Sequence, residues 1–174
     1  LVLRKIVNIF GILSIAVTIF SVGAYYYHNY QVEQELQKAN PEWLARDVYD
    51  YLNYDRRITG REPFNWDKDL AKIAVEHSTS MRDGDYVEHD EPGGLTFQQR
   101  IEALGQNYEG LAAAENLLML DHPFSVDDIG GLTYQSWLGS HQHLVIMMDP
   151  AYSKVGVGVA IKGGQIYITA DFSG

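Results

Sequence analysis

Six histidines, 23 carboxylate side chains and no cysteine define the chemistry open to this chain of 174 residues. Imidazoles and carboxylates can move protons or ligate divalent metals, whereas cysteine nucleophiles, thiolate zinc sites and disulfide frameworks are excluded. The histidines stand at 28, 77, 89, 122, 141 and 143, and no two are four apart, the spacing that sets a pair of imidazoles on one helix face to bind zinc. No Gly-x-Ser-x-Gly elbow presents a serine nucleophile. Ser140 instead precedes a short helical segment that it is placed to cap, with His143 at the third helical position. His77 shares the apolar stripe of Leu70, Ile73 and Met81 and reads as a packing residue. His122 falls in a loop, and His141 faces solvent in an opening helical turn.

The elements that must position these groups follow from caps and periodicity. Asn40-Pro41-Glu42 starts a helix with a capping amide, a proline at the first helical position and an early acid. Leu44, Val48, Tyr51, Leu52 and Ile58 recur at helical intervals up to Gly60. A second helix starts near Asp67 and breaks at Asp83-Gly84-Asp85. A third runs from Thr96 to Leu104 and closes at Gly105. An alanine-rich stretch around Glu115 is followed by a loop from Asp121 to Gly131, a helix from Leu132 to Leu138, and the short segment opened by Ser140. The carboxyl end differs in kind. Val155, Val157, Val159 and Ile161 alternate with small or polar residues, Gly163-Gly164 offers a two-residue turn, and Gln165 to Phe172 is β-branched and aromatic, which predicts a hairpin. Helices first and strands last argue for an α+β domain with helices on an antiparallel sheet.

Before that domain lies an apolar segment. Ile6 to Tyr27 comprises 22 residues without a charge, about 33 Å as a helix, long enough to cross a bilayer. Arg4 and Lys5 precede it while Glu33 and Glu35 follow, which places the amino end in the cytoplasm and the domain outside. Val22-Gly23-Ala24 also suits a signal peptidase, and a buried core helix is the third reading. The domain organisation expected is an N-terminal transmembrane anchor or signal peptide over residues 1–30, a stalk over 31–40 and a domain over 41–174. The portion after residue 30 holds 11 basic and 23 acidic residues, so a nucleic-acid partner is excluded and cations are attracted.

Several short motifs carry a family resemblance. Leu52-Asn53, Arg56, Gly60, Trp66-Asp67, Leu70, Ala74, His77-Ser78 and Met81 come first, then His89, Phe97, Arg100-Ile101 and Gly105. Ala114-Glu115-Asn116-Leu117, Trp137, Ser140, His143, Asp149-Pro150, Tyr152, Gly156-Val157-Gly158 and Asp171-Phe172 complete the order. Together they resemble the CAP superfamily of cysteine-rich secretory, antigen five and pathogenesis-related proteins, in its prokaryotic SCP-like branch. The likeness implies a three-layer α-β-α sandwich with an N-terminal transmembrane helix added. It also implies that His89, Glu115 and His143 share one cleft with Ser140, a ligand set suited to weakly held Zn²⁺ or another divalent cation. Ala114 replaces the usual glycine, His141-Gln142 replaces Pro-Gly, and Ser140 stands where eukaryotic relatives carry a second glutamate.

Three functions are compatible with this reading. The first is a single-pass cell-membrane protein whose extracytoplasmic domain binds a ligand, peptide, lipid or envelope protein. The second is a metal-dependent hydrolase acting through His89, Glu115 and His143, or through Ser140, His143 and Glu115 as nucleophile, base and orienting acid. The third is an accessory subunit of an envelope complex, held through residues 6–27.

Overall fold

The computed structural model describes residues 2–123 and 125–174, with side chains from residue 14 onward. Helix α1, Val2–Leu36, leads into α2, Pro41–Ile58, whose start is capped as its sequence predicts: the Asn40 side chain accepts hydrogen bonds from the Glu42 and Trp43 amides. A two-residue strand, β1 (Asn65–Trp66), precedes α3, Lys68–Gly84, capped by Asp67 and ended by Asp85 in the left-handed conformation. The short α4, Phe97–Glu102, opens with a capping box between Thr96 and Gln99. Strand β2 (Ala113–Asp121), a 3₁₀ turn (Val126–Asp128), α5 (Ile129–Leu138) and α6 (His141–Met148) lead to the expected hairpin of β3 (Lys154–Lys162) and β4 (Gln165–Ser173).

The four strands lie in the order β1-β3-β4-β2, antiparallel except for the short parallel β1–β3 pair. Alternation sorts their side chains between two helical layers. Val155, Val157 and Val159 of β3 and Ile166, Ile168, Ala170 and Phe172 of β4 pack with Leu44, Val48 and Leu52 of α2, Ile129 and Trp137 of α5 and Met147 of α6. The intervening residues face α3. There Gly156 and Gly158 let the helix backbone lie directly on the strand, since a Cβ at either position would collide with main-chain atoms of Leu70 and Ala71 or of Ala74 and Val75. The mixed α+β architecture is thus a sheet with helices on both faces.

The alanine-rich stretch around Glu115, for which the sequence predicts no strand, is β2. Its pairing with β4 along all nine residues supplies what its side-chain propensity lacks. The section expected as a stalk, 31–40, also contributes to the packing, because Val32 and Leu36 are buried in the main core. Upstream of them, Ile15, Val17, Ile19, Phe20 and Tyr25 to Tyr27 are exposed. Among the described residues no helix is long and apolar enough to cross a membrane, and part of the expected span, residues 6–13, lies outside those whose side chains are described.

Candidate functional site

Glu115 sits on β2, directly across from Asp171 on β4, so both carboxyl groups lie on the face that receives α3. Glu115 is 4% exposed. Its Oε2 accepts a hydrogen bond from Arg100 Nη2 at 2.8 Å, and its Oε1 accepts one from His89 Nδ1 at 2.8 Å. Both oxygens are therefore engaged, one by a buried guanidinium and one by an imidazole at the surface.

The loop that carries His89 joins α3 to α4 and is held by its own polar groups. Asp90 Oδ1 accepts from the Phe97 amide at 2.9 Å, Arg100 Nη2 donates to the His89 carbonyl at 2.9 Å, and His77 Nε2 lies 3.0 Å from the Glu88 carbonyl. Arg100 thus ties the loop, α4 and β2 together. His77 lies beneath them, fully buried, 3.8 Å from Glu115 and 3.6 Å from Glu91. It is a packing residue of α3, as expected, and it also supports the loop through Glu88.

Electrostatics divides the titratable groups. The hydrogen bond to Glu115 raises the His89 pKa above the ordinary imidazole value. Burial lowers that of His77, and Arg100 pushes it the same way. His143 is lowered by burial and then by the charge of His89. Asp171, fully buried and next to Glu115, is raised well above the usual carboxylate value by desolvation and then by its neighbour's negative charge.

His143 approaches from the other helical layer. It lies on α6, its ring centroid 6.4 Å from that of Trp137, and its carbonyl accepts from Asn116 Nδ2 at 3.3 Å. Asn116 faces away from Glu115 on the same strand, and β2 is the sheet edge, so His89 and His143 flank that edge from opposite sides. Ser140 occupies the N-cap of α6 as expected, yet its side chain makes no capping hydrogen bond. Among the described residues no hydrogen bond links Ser140, His143 and Glu115, and the acid that would orient the base is bound to His89 and Arg100 instead.

The same commitments bear on the cation. His89 spends Nδ1 on Glu115, which leaves Nε2 as the ring nitrogen open to a cation, while Glu115 itself lies beside the fixed positive charge of Arg100. Among the described residues no group of three or more histidine and carboxylate side chains is arranged to hold a metal ion.

The family resemblance implies one cleft for His89, Glu115, His143 and Ser140 and gives no place in it to Arg100 or Asp171. Both belong to motifs that carry the resemblance, and nothing in the spacing of a single sequence marks either as a partner of Glu115.

A sequence profile of the CAP family, described as Cysteine-rich secretory protein family, matches residues 49–172. YlbC, an uncharacterized membrane protein of Bacillus subtilis strain 168, is 27% identical over 152 residues, covering 81% of this chain and 37% of that protein. YkwD, an uncharacterized protein of the same organism, is 25% identical over 129 residues, covering 74% of this chain and 46% of its own length. This chain therefore spans less than half the length of the curated relatives it matches. Among solved structures, an extracellular SCP-domain protein of Bacillus anthracis superposes with a TM-score of 0.64 at 24% identity, covering 76% of this chain and 41% of that one. An outer surface protein of Borrelia burgdorferi gives 0.65 at 17% identity, covering 78% and 95%. At these identities the superpositions establish the fold alone.

Proposed function

We propose that this chain, which belongs to the CAP family of cysteine-rich secretory proteins, is a membrane-tethered extracytoplasmic module that binds a ligand at the β2 edge between His89 and His143. The observation that carries the reading is the state of Glu115. A general base must be free to accept a proton from the reacting group, whereas both Glu115 oxygens are engaged by Arg100 and His89. Such a carboxylate serves as a fixed anchor for a recognition surface. His89, whose side chain is 59% exposed, presents its ring to whatever binds.

The tether rests on different support. Described residues of α1 from Ile15 to Tyr27 expose apolar and aromatic side chains to a degree unusual for a soluble surface, Arg4 and Lys5 precede them, and the names of the relatives above include a membrane protein and an extracellular protein. Protease treatment of intact cells tests the orientation. Cleavage of the domain from outside is expected, and full protection until lysis would overturn it. The binding reading is tested with the purified full chain and a pool of fluorogenic peptides. Turnover that disappears in Glu115→Gln would replace the module with a hydrolase; no turnover in either form is expected.

A further inference from the structure

The outer side of α2 holds polar and aromatic side chains that the fold itself does not use. Asp47, Asp50, Tyr51, Tyr54 and Arg57 stand at helical intervals of three and four residues, which sets them on one side of the helix. They line a hollow of about 380 Å³, at the small end of ligand pockets. Among the described residues no hydrogen bond or ion pair engages the side chains of Asp50, Tyr54 or Arg57, or the hydroxyl of Tyr51.

Two of the five are held in place by α5. A Cβ at Gly130 would collide with the Asp47 carboxylate, and one at Gly131 would press on the Tyr51 hydroxyl, so paired glycines at the start of α5 let both side chains lie against it. Burial there raises the Asp47 pKa, and the Gly130 amide offsets part of the rise. Tyr51 stacks on Tyr134, with ring centroids 6.1 Å apart and planes 22° from parallel. Tyr134 is itself buried, with Asp55 beside its hydroxyl. One face of the Tyr51 ring is thus covered while the residue stays 39% exposed, and Tyr54, 59% exposed, stands one turn further on. Aromatic side chains with few torsions, one of them already fixed, lose little freedom when a ligand arrives.

The chemistry of this lining discriminates among occupants. A cation would suit Asp47 and Asp50, with Asp127 nearby, but would meet the Arg57 guanidinium. An anion would suit Arg57 alone, and an apolar chain would leave all the charges without partners. A neutral pyranose answers every group: its hydroxyls donate to carboxylates and accept from a guanidinium, and its C–H face lies against an aromatic ring. We propose that the hollow on α2 binds a neutral glycan, with a sugar ring against Tyr51 and Tyr54 and its hydroxyls held by Asp47, Asp50 and Arg57. Trp43, exposed one turn before Asp47 on the same side of the helix, offers a second stacking surface to a linked sugar. None of these residues belongs to the His89–Glu115 cluster, so occupation of the hollow does not depend on the ligand-binding reading of the β2 edge.

The test uses the full chain in micelles of octaethylene glycol dodecyl ether, a detergent without a sugar headgroup, and three neutral trisaccharides: N,N′,N″-triacetylchitotriose, cellotriose and maltotriose. Calorimetry is expected to show saturable binding of at least one, with amide chemical-shift changes centred on residues 47–57 and 129–134. Tyr54→Ala and Asp50→Asn, both at exposed positions, are each expected to weaken that binding about fivefold or more with an unchanged far-ultraviolet spectrum. Deacetylated chitotriose, a cation of the same backbone, is expected to bind no more tightly than its neutral parent. Should a variant fail to fold, the shift map of the unaltered chain decides. Absence of binding by all three sugars, tighter binding of the deacetylated trimer, shifts centred on His89 and His143, or full affinity in either folded variant would each overturn the proposal.

Discussion

Glu115 shows how one buried charge can organise a site. Its carboxylate balances Arg100 in a place closed to water, and removing one member of such a pair strands the other without compensation. Glu115→Gln is therefore expected to lower the unfolding free energy by about 3 kcal/mol in a urea titration. The imidazoles give pH signatures of opposite sign. His89 is raised by its bond to Glu115, so its contribution is complete below the unfolded value of about 6.5 and is lost as pH rises through the folded value. His77 and His143 are lowered, so the folded chain refuses protons that the unfolded chain accepts, and stability falls as pH drops below about 6.5. Melting curves of His89→Ala across neutrality should show a flatter decline on the alkaline side, with the acid side unchanged. Burial raises the Asp171 carboxyl, and the neighbouring Glu115 charge raises it further. Asp171→Asn is expected to be more stable than the parent at neutral pH, with the difference closing as pH approaches about 4, where the unfolded carboxylate also takes its proton. None of this cluster could be read from spacing, because its members come from α3, a loop, α4, β2 and β4. Only the family resemblance pointed to His89 and Glu115, and it assigned no role to Arg100 or Asp171.

At the level of elements the chain is easier to read, and the reason is local. Asn40, Asp67 and Thr96 each present an oxygen to orphan amides within three residues, so their helices declare their own starts. Asn40→Ala should cost about 1 kcal/mol, measurable by denaturation. The Gly163-Gly164 turn and the valine alternation likewise announce the hairpin. Strand β2 does not, because Ala113-Ala114-Glu115-Asn116 lacks β-branched residues and becomes extended through its register with β4. Glycine in β3 records a contact invisible in one dimension: α3 rests its backbone on Gly156 and Gly158, bringing His77 down beside Glu115. Gly158→Ala should push this helix off the sheet and lower stability by about 3 kcal/mol, the upper end of overpacking effects, as read from thermal melts.

For the molecule as a whole, the boundary between appendage and domain lies earlier than polarity suggests. Gln31 to Ala39 is rich in polar helix formers, which hides the fact that Val32 and Leu36 are core residues. Removing residues 1–30 should leave a cooperative folded domain, whereas removing residues 1–40 should lower its stability by about 3 kcal/mol through loss of these two buried side chains. Paired urea titrations of the two truncations check this, and equal midpoints would show that the last turns of α1 are dispensable.

The helix containing Tyr25, Tyr26 and Tyr27 continues without interruption to Leu36, where it is clamped by the core. A flexible leash would let the globular part tumble freely about it, but an unbroken rod clamped at its domain end gives the domain a set distance and a set azimuth relative to the rod's other end. The two flanks of the sheet thereby acquire compass bearings relative to the rod, and a tilt imposed on the rod turns both together.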